Sequence, residues 1–169
     1  SGPHQLASLL LGVVSSLDGG AVVTIPSPPG TDPGKWRGAL KVIARTRPYL
    51  WPNHRDAITQ RLLETGVSAA VGFPTGAGKS TVSQLKIAAH LFAGRKVVFL
   101  APTHALVDQT SRDLRSAFPR ATVRGERIDE FGFDTGSEEL PDILVMTPEA
   151  CLTLTHFEPT AFDDVGLLV

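Results

Sequence analysis

A glycine-rich segment, residues 72–81, carries the residue types best suited to chemistry. It reads Gly-Phe-Pro-Thr-Gly-Ala-Gly-Lys-Ser-Thr. Glycines let a backbone curl with its N–H groups pointing inward, and a helix that begins after them adds partial positive charge. Lys79 would reach the β- and γ-phosphates of a nucleotide as the catalytic cation, and the hydroxyl of Ser80 would bind Mg²⁺. The residues predicted to contact the nucleotide here are Thr75, Gly76, Ala77, Gly78, Lys79, Ser80 and Thr81.

This segment departs from the strict pattern G-x-x-x-x-G-K-[ST] at one position, because Phe73 stands where the first glycine belongs. The match is therefore to the variant x-P-T-G-x-G-K-[ST]. The alternative is a glycine-rich turn that binds nothing, which a Gly-Lys-Ser sequence between a strand and a helix disfavours.

The elements that must hold this loop alternate between strands and helices. Short apolar segments predict strands over residues 67–71, 96–100, 121–123, 143–146 and 165–169. Helical spacing and cap residues predict helices over residues 79–92, from Thr103 to Pro119, and from Thr147-Pro148 onwards. Apolar strands without alternation, each followed by a helix, are typical of a parallel sheet covered on both faces. The sequence therefore predicts a three-layer α/β fold with ligands at the carboxyl edge of the sheet.

The first third of the chain is less regular. Residues 5–17 predict a helix, and residues 19–34 are rich in glycine and proline, which is typical of a loop or linker. Residues 21–25 could form a short edge strand within it. Further on, Asn53 is the predicted N-cap of a helix that runs to about Thr65 and ends at Gly66.

Length and composition exclude several classes of protein. The chain has 169 residues, 16 basic and 17 acidic, so its net charge is −1 and it is too short for two nucleotide-binding lobes. The single cysteine, Cys151, excludes a disulfide within the chain and a zinc cluster built on cysteines. No apolar run approaches the roughly 20 residues that span a bilayer. We therefore predict a cytoplasmic protein, or a nuclear one in a eukaryote, without a membrane partner.

The charges are unevenly distributed along the chain. Between Lys35 and Arg61 there are seven basic residues and one acid, whereas between Glu126 and Asp142 there are seven acids and one base. These stretches are either two solvated faces or a basic patch that faces phosphates and an acidic loop far from them.

Three short motifs follow one another along the chain. Residues 74–80 read Pro-Thr-Gly-Ala-Gly-Lys-Ser, residues 101–109 read Ala-Pro-Thr-His-Ala-Leu-Val-Asp-Gln, and residues 147–149 read Thr-Pro-Glu. They resemble motif I, motif Ia and the T-P-E element of superfamily 2 helicases of the DExH/DEAD type. Upstream, residues 50–58 resemble the adenine-recognition element of RecQ-like helicases. From about residue 47 to residue 169, the sequence is therefore similar to the N-terminal part of the first lobe of such a helicase.

The resemblance implies a RecA-like P-loop lobe that binds ATP and Mg²⁺, in a helicase or translocase that hydrolyses ATP. It implies a partner that is single- or double-stranded nucleic acid, with DNA favoured over RNA. Helix N-termini after strands also suit phosphate oxygens physically, although Thr103 and Thr147 could serve only as caps. The residues to which the resemblance assigns nucleic-acid contacts are Pro102, Thr103, His104, Gln109, Thr147 and Pro148.

The adenine element implies nucleotide contacts for Trp51 and His54. In the family a glutamine that bonds adenine with its paired amide stands where this chain has His54. An imidazole has one donor or acceptor per nitrogen, so it cannot copy that contact. The alternatives are a surface role for His54 and a core position for Trp51.

The Asp-Glu pair of motif II, which the family needs for hydrolysis, follows no apolar strand of this sequence. We therefore predict an N-terminal extension over residues 1–46 and a partial RecA-like lobe over residues 47–169 that is truncated before motif II and does not hydrolyse ATP alone. Motif II and the second lobe would belong to the C-terminal remainder of the same protein. The alternatives are a small-molecule kinase with the same loop, and a non-catalytic nucleotide-binding interaction module.

Overall fold

The computed structural model describes residues 2–126 and 140–169, and the chain divides into two compact units, Ser1–Lys86 and Ile87–Val169. The acidic stretch between Glu126 and Asp142 lies mostly outside the described residues. None of the described helices is long and apolar enough to cross a membrane.

The second unit contains a four-stranded parallel sheet. Its strands are β1 (Lys96–Leu100), β2 (Val123–Gly125), β3 (Ile143–Met146) and β4 (Val165–Leu168), in the order β2-β3-β1-β4. All three pairings are parallel. The predicted α/β fold is therefore confirmed. The predicted third strand was placed two residues too early, at 121–123, and the last strand one residue too long.

Helices α5 (His104–Ala117) and α6 (Pro148–Phe157) follow β1 and β3 as predicted. Every residue of β3 is buried, because alternate side chains point to opposite faces of the sheet and both faces are covered. Leu144 and Met146 pack with Ala150 and Leu154 of α6 on one face. Each of the buried leucine and methionine side chains contributes about 1.5–3 kcal/mol relative to an exposed one.

The first unit is helical in the part that the structure describes. Its helices are α1 (Gly2–Gly20), α2 (Pro33–Ala44), α3 (Pro52–Thr59) and the first part of α4 (Lys79–Phe92), with a 3₁₀ turn over Val22–Thr24. The predicted edge strand over residues 21–25 is wrong, because a 3₁₀ turn and one bridge between Ala21 and Tyr49 take its place. The predicted loop over residues 19–34 includes the end of α1, this turn and the start of α2.

Helix α2 had no counterpart in the sequence prediction. Asp32 caps it by accepting a hydrogen bond from the Lys35 N–H at 2.7 Å, which lowers the pKa of its carboxyl group. Trp36 is buried, and its indole N–H donates to the Ile25 carbonyl at 3.0 Å. Leu40 and Ile43 are buried on the same side of the helix, so α2 is a packed part of the first unit.

Helix α3 differs from its prediction at both ends. Its N-cap is Trp51 and not Asn53, since Pro52 begins the helix, and it ends at Thr59, before the predicted end at about Thr65. Proline suits the first helical position, where a backbone N–H has no helical partner. Arg61 has a φ of 66°, which stops the helix before Gly66.

The predicted strand over residues 67–71 is also wrong. No described strand pairs with this segment, and Ser68, Ala69 and Ala70 are exposed. Small residues have a weak preference for strands. The Lys86 amine donates to the carbonyls of Glu64 at 2.7 Å and Val67 at 2.9 Å, so it holds the start of the segment by its backbone.

Replacing Lys86 should test this anchor. Lys86 is buried, and burial lowers the pKa of its amine. We expect Lys86→Met to lower the free energy of unfolding by about 1–3 kcal/mol, because it leaves two carbonyl acceptors without their donor. Urea denaturation followed by circular dichroism measures the change. The matched control is Lys41→Met, at an exposed position of α2, which should change stability by less than about 0.5 kcal/mol. Equal effects of the two substitutions would contradict an anchoring role.

Candidate functional site

The glycine-rich loop is curled immediately before α4. Gly76 and Gly78 have φ angles of 81° and 77°, a conformation that only glycine adopts readily. The Ala77 N–H donates to the Pro74 carbonyl at 3.1 Å, which closes a turn. The loop thus ends at the N-terminus of a helix of 14 residues, where unpaired N–H groups and the helix dipole favour an anion.

Lys79 lies over this loop. Its Nζ donates to the Phe73 carbonyl at 2.7 Å and to the Pro74 carbonyl at 3.4 Å, while the side chain stays exposed. Ser80 is exposed and Thr81 is buried. A positive charge therefore sits above the loop, beside a hydroxyl that could bind a divalent cation held by a phosphate.

Two side chains of helix α3 contact the backbone of the loop. Asn53 Nδ2 lies 3.2 Å and His54 Nε2 lies 2.8 Å from the Ala77 carbonyl oxygen. The His54 ring also contacts the Phe73 ring, with 5.7 Å between centroids. Because His54 is only 1% exposed, its interpretation as a surface residue is wrong.

A cavity of about 720 Å³ lies beside the loop within the first unit. That volume is typical of small-molecule sites. Its wall includes all of the residues predicted to contact the nucleotide except Ala77, whose carbonyl is bonded to α3. These residues are Trp51, His54, Thr75, Gly76, Gly78, Lys79, Ser80 and Thr81.

Sequence reasoning missed four residues of this wall, Thr46, Arg47, Pro48 and Tyr49. Trp51 is 62% exposed and Tyr49 is 49% exposed, so the alternative of a core position for Trp51 is wrong. A signal was available in the sequence. Alternate residues of an extended segment point to the same side, so Arg47, Tyr49 and Trp51 could have been grouped.

The residues predicted to contact nucleic acid lie in the second unit. Residues Leu100 of β1 and Met146 of β3 are paired in register, so the chain leaves both strands at the same edge of the sheet. Thr103 caps α5 by accepting from the Leu106 N–H, and Thr147 caps α6 by accepting from the Ala150 N–H, both at 3.3 Å. The structure therefore brings the two helix N-termini to one edge.

Exposure differs among these residues. Pro102, Thr103, His104 and Gln109 are exposed, Pro148 is half-buried, and Thr147 is buried. Gln109 lies in the second turn of α5, away from the capped end. Of the residues predicted to contact nucleic acid, those that are exposed near the two helix N-termini are therefore residues 102–104.

Comparison with known proteins identifies the family of this chain. The sequence model of the DEAD/DEAH box helicase family matches residues 51–169. The RQC trigger complex helicase SLH1 of Saccharomyces cerevisiae is 34% identical over 113 residues, which cover 60% of this chain and 5% of SLH1. The probable helicase HelY of Mycobacterium tuberculosis is 29% identical over 110 residues, which cover 63% of this chain and 11% of HelY.

Among the solved structures with a similar fold is the DUF1998 helicase MrfA bound to DNA. It has a TM-score of 0.59 and 17% identity, and the match covers 84% of this chain and 21% of MrfA. The chain thus spans only a small part of each of these helicases. Because the family match extends over most of its residues, the chain belongs to the DEAD/DEAH box helicase family.

Proposed function

We propose that this chain is the ATP-binding part of a helicase or translocase that acts on nucleic acid, and that it prefers DNA to RNA. The observation that carries the proposal is the cavity in which Lys79, Ser80 and two left-handed glycines meet. A triphosphate would suit this wall, since a Cβ added to Gly76 would meet nothing within 4 Å and the cation of Lys79 lies over the loop. Lys79 would bind the phosphates, and Ser80 would hold Mg²⁺ against them.

We also propose that residues 47–169 form a partial RecA-like lobe, that residues 1–46 are an extension of it, and that the chain alone does not hydrolyse ATP. The family match, which begins at residue 51, supports this division. Hydrolysis needs a group that orients the attacking water. No aspartate or glutamate is among the described residues that line the cavity, so we assign the catalytic acids to another part of the same protein.

Nucleic acid would contact the edge of the sheet where α5 and α6 begin. Neighbouring strands lie about 4.8 Å apart, so the N-termini that follow β1 and β3 could hold phosphates of one strand without reading bases. The preference for DNA rests on the likeness of residues 50–58 to RecQ-like helicases and on a fold relative whose structure includes DNA. Membership of the helicase family disfavours the kinase alternative.

Thr103→Asp is the variant that tests this edge. Aspartate caps a helix as well as threonine does, so α5 should stay intact while a negative charge takes the place of the hydroxyl. We expect binding of labelled single-stranded DNA, measured by fluorescence anisotropy, to weaken about fivefold or more, because close like charges repel by about 1 kcal/mol even in water. Thr103→Ser is the control and should bind as the wild type does.

Unchanged DNA binding by Thr103→Asp would show that the edge is not the nucleic-acid site. Tighter binding of an RNA of the same sequence would contradict the preference for DNA. ATP turnover by the isolated chain that disappears in Lys79→Ala would contradict the proposal that it does not hydrolyse ATP alone.

A further inference from the structure

Both ring nitrogens of His54 are occupied by backbone groups. Nδ1 lies 3.3 Å from the Trp51 amide nitrogen, and Nε2 lies 2.8 Å from the Ala77 carbonyl oxygen. An amide N–H can only donate and a carbonyl can only accept, so these two contacts require a neutral ring with its proton on Nε2. The ring therefore has no polar atom left with which to bond a nucleotide base.

The space around the ring is also filled. His54 is 1% exposed, and its Nε2 lies 2.5 Å from the position that a Cβ on Gly78 would take. Phe73 packs against the ring as well. A base in the cavity would therefore meet little of the imidazole surface.

We propose that His54 is a positioning residue for the glycine-rich loop, and that the site binds purine nucleoside triphosphates without selecting adenine. This inference rests on the proposed function, since it takes the cavity to be a nucleotide site. His54 and Asn53 together fix the Ala77 carbonyl, and with it the path of the loop backbone beside the cavity.

Stacking on aromatic rings would hold the base instead. Tyr49 and Trp51 are exposed in the cavity wall, and stacking tolerates any base because every base has a π-face. A purine presents a larger face than a pyrimidine does.

Peptide groups beside these rings are already paired. The Leu50 N–H donates to the Gly20 carbonyl at 2.7 Å, and the Pro48 carbonyl accepts from the Val22 N–H at 2.9 Å. Arg47 donates to Gln84 Oε1 at 3.1 Å and, as a guanidinium, can only donate. An amide side chain selects adenine through a paired donor and acceptor, and the described residues of the cavity wall include no asparagine or glutamine that could supply that pair.

The first experiment compares equilibrium binding of ATP, GTP and CTP with Mg²⁺ to the whole chain, by competition against ribose-labelled ATP. We expect dissociation constants for ATP and GTP within about threefold of each other, and weaker binding of CTP. A preference for ATP above about tenfold, the size of discrimination that a paired base contact provides, would overturn the inference. Absence of binding by ATP and GTP alike would overturn the proposed function, and this inference with it.

The second experiment measures the same ratio in variants, at a temperature where circular dichroism shows each one folded. His54→Ala should weaken ATP and GTP binding by the same factor, and His54→Gln, which keeps an N–H donor for the Ala77 carbonyl, should restore much of the affinity. Asn53→Ala removes the other bond to that carbonyl and leaves His54 in place, so it serves if His54→Ala does not fold. A loss of ATP binding that exceeds the loss of GTP binding in His54→Ala or in Asn53→Ala would overturn the inference.

Discussion

A Lys79→Ala variant is expected to bind ATP about 10- to 150-fold more weakly than the unmodified chain, because hydrogen bonds to charged groups contribute about 1.5–3 kcal/mol each. In the structure the Lys79 amine donates to the Phe73 carbonyl at 2.7 Å, beside the cavity. A triphosphate would exchange that neutral acceptor for charged oxygens, so the bond becomes stronger on binding. Titration with ribose-labelled ATP and Mg²⁺ measures the change.

Lys41→Ala is the matched control, since Lys41 is an exposed lysine on α2 that does not line the cavity. It removes the same charge from the net total and should leave affinity unchanged. Equal affinities of the Lys79→Ala variant and the unmodified chain would show that the amine does not contact phosphates.

Gly78→Ala should be the most damaging small substitution in the loop. Gly78 has a φ of 77°, and an added Cβ would lie 2.5 Å from His54 Nε2 and 2.6 Å from His54 Cε1. The ring cannot move aside, because it is buried and both nitrogens are bonded. Left-handed strain costs about 1–2 kcal/mol and overpacking about 1–3 kcal/mol, so we expect a loss of about 2–5 kcal/mol in the free energy of unfolding, together with loss of nucleotide binding.

Comparison with Gly76→Ala separates the cost of backbone strain from the cost of the clash with His54. Gly76 has a φ of 81°, almost that of Gly78, but an added Cβ would meet nothing within 4 Å. We therefore expect only the strain of about 1–2 kcal/mol. Urea denaturation of the two variants side by side measures the difference, and equal losses would contradict the close packing of His54 on the loop.

Strands β1 and β3 and the caps of α5 and α6 could be predicted from the sequence, because each depends on residues close together in the chain. Thr103 and Thr147 each follow an apolar run and precede a helical pattern. They therefore mark in the sequence where the helix begins. The glycine-rich loop could be predicted for the same reason, since both its turn and its charge depend on neighbouring residues.

The segment over residues 67–71 could not be predicted in this way. Its apolar residues are compatible with a strand, but a strand also requires a neighbour for its N–H and C=O groups. Here Lys86, 19 residues away from Val67, takes one of those carbonyls. Helix α2 was not predicted, because the glycines and prolines before it suggested a loop. Asp32 and Pro33 nevertheless form the start of a helix.

The residue type of His54 predicts the chemistry of its ring but not the direction of the ring. Its chemistry was enough to predict that an imidazole cannot copy the paired contact of an amide. The direction of the ring could not be predicted, because its partner Ala77 lies 23 residues further along the chain. Only the fold brings the two together.

The position of β4 in the sheet has a consequence for solubility. Among the strands that the structure describes, β4 lies at an edge of the order β2-β3-β1-β4, and Leu168 is 59% exposed on it. Residues 165–169 read Val-Gly-Leu-Leu-Val, without a charge or a proline. Natural edge strands avoid such composition, because unpaired N–H and C=O groups on an apolar edge recruit strands from other molecules. Intermolecular strand pairing at β4 is therefore one route by which concentrated solutions of this chain would aggregate.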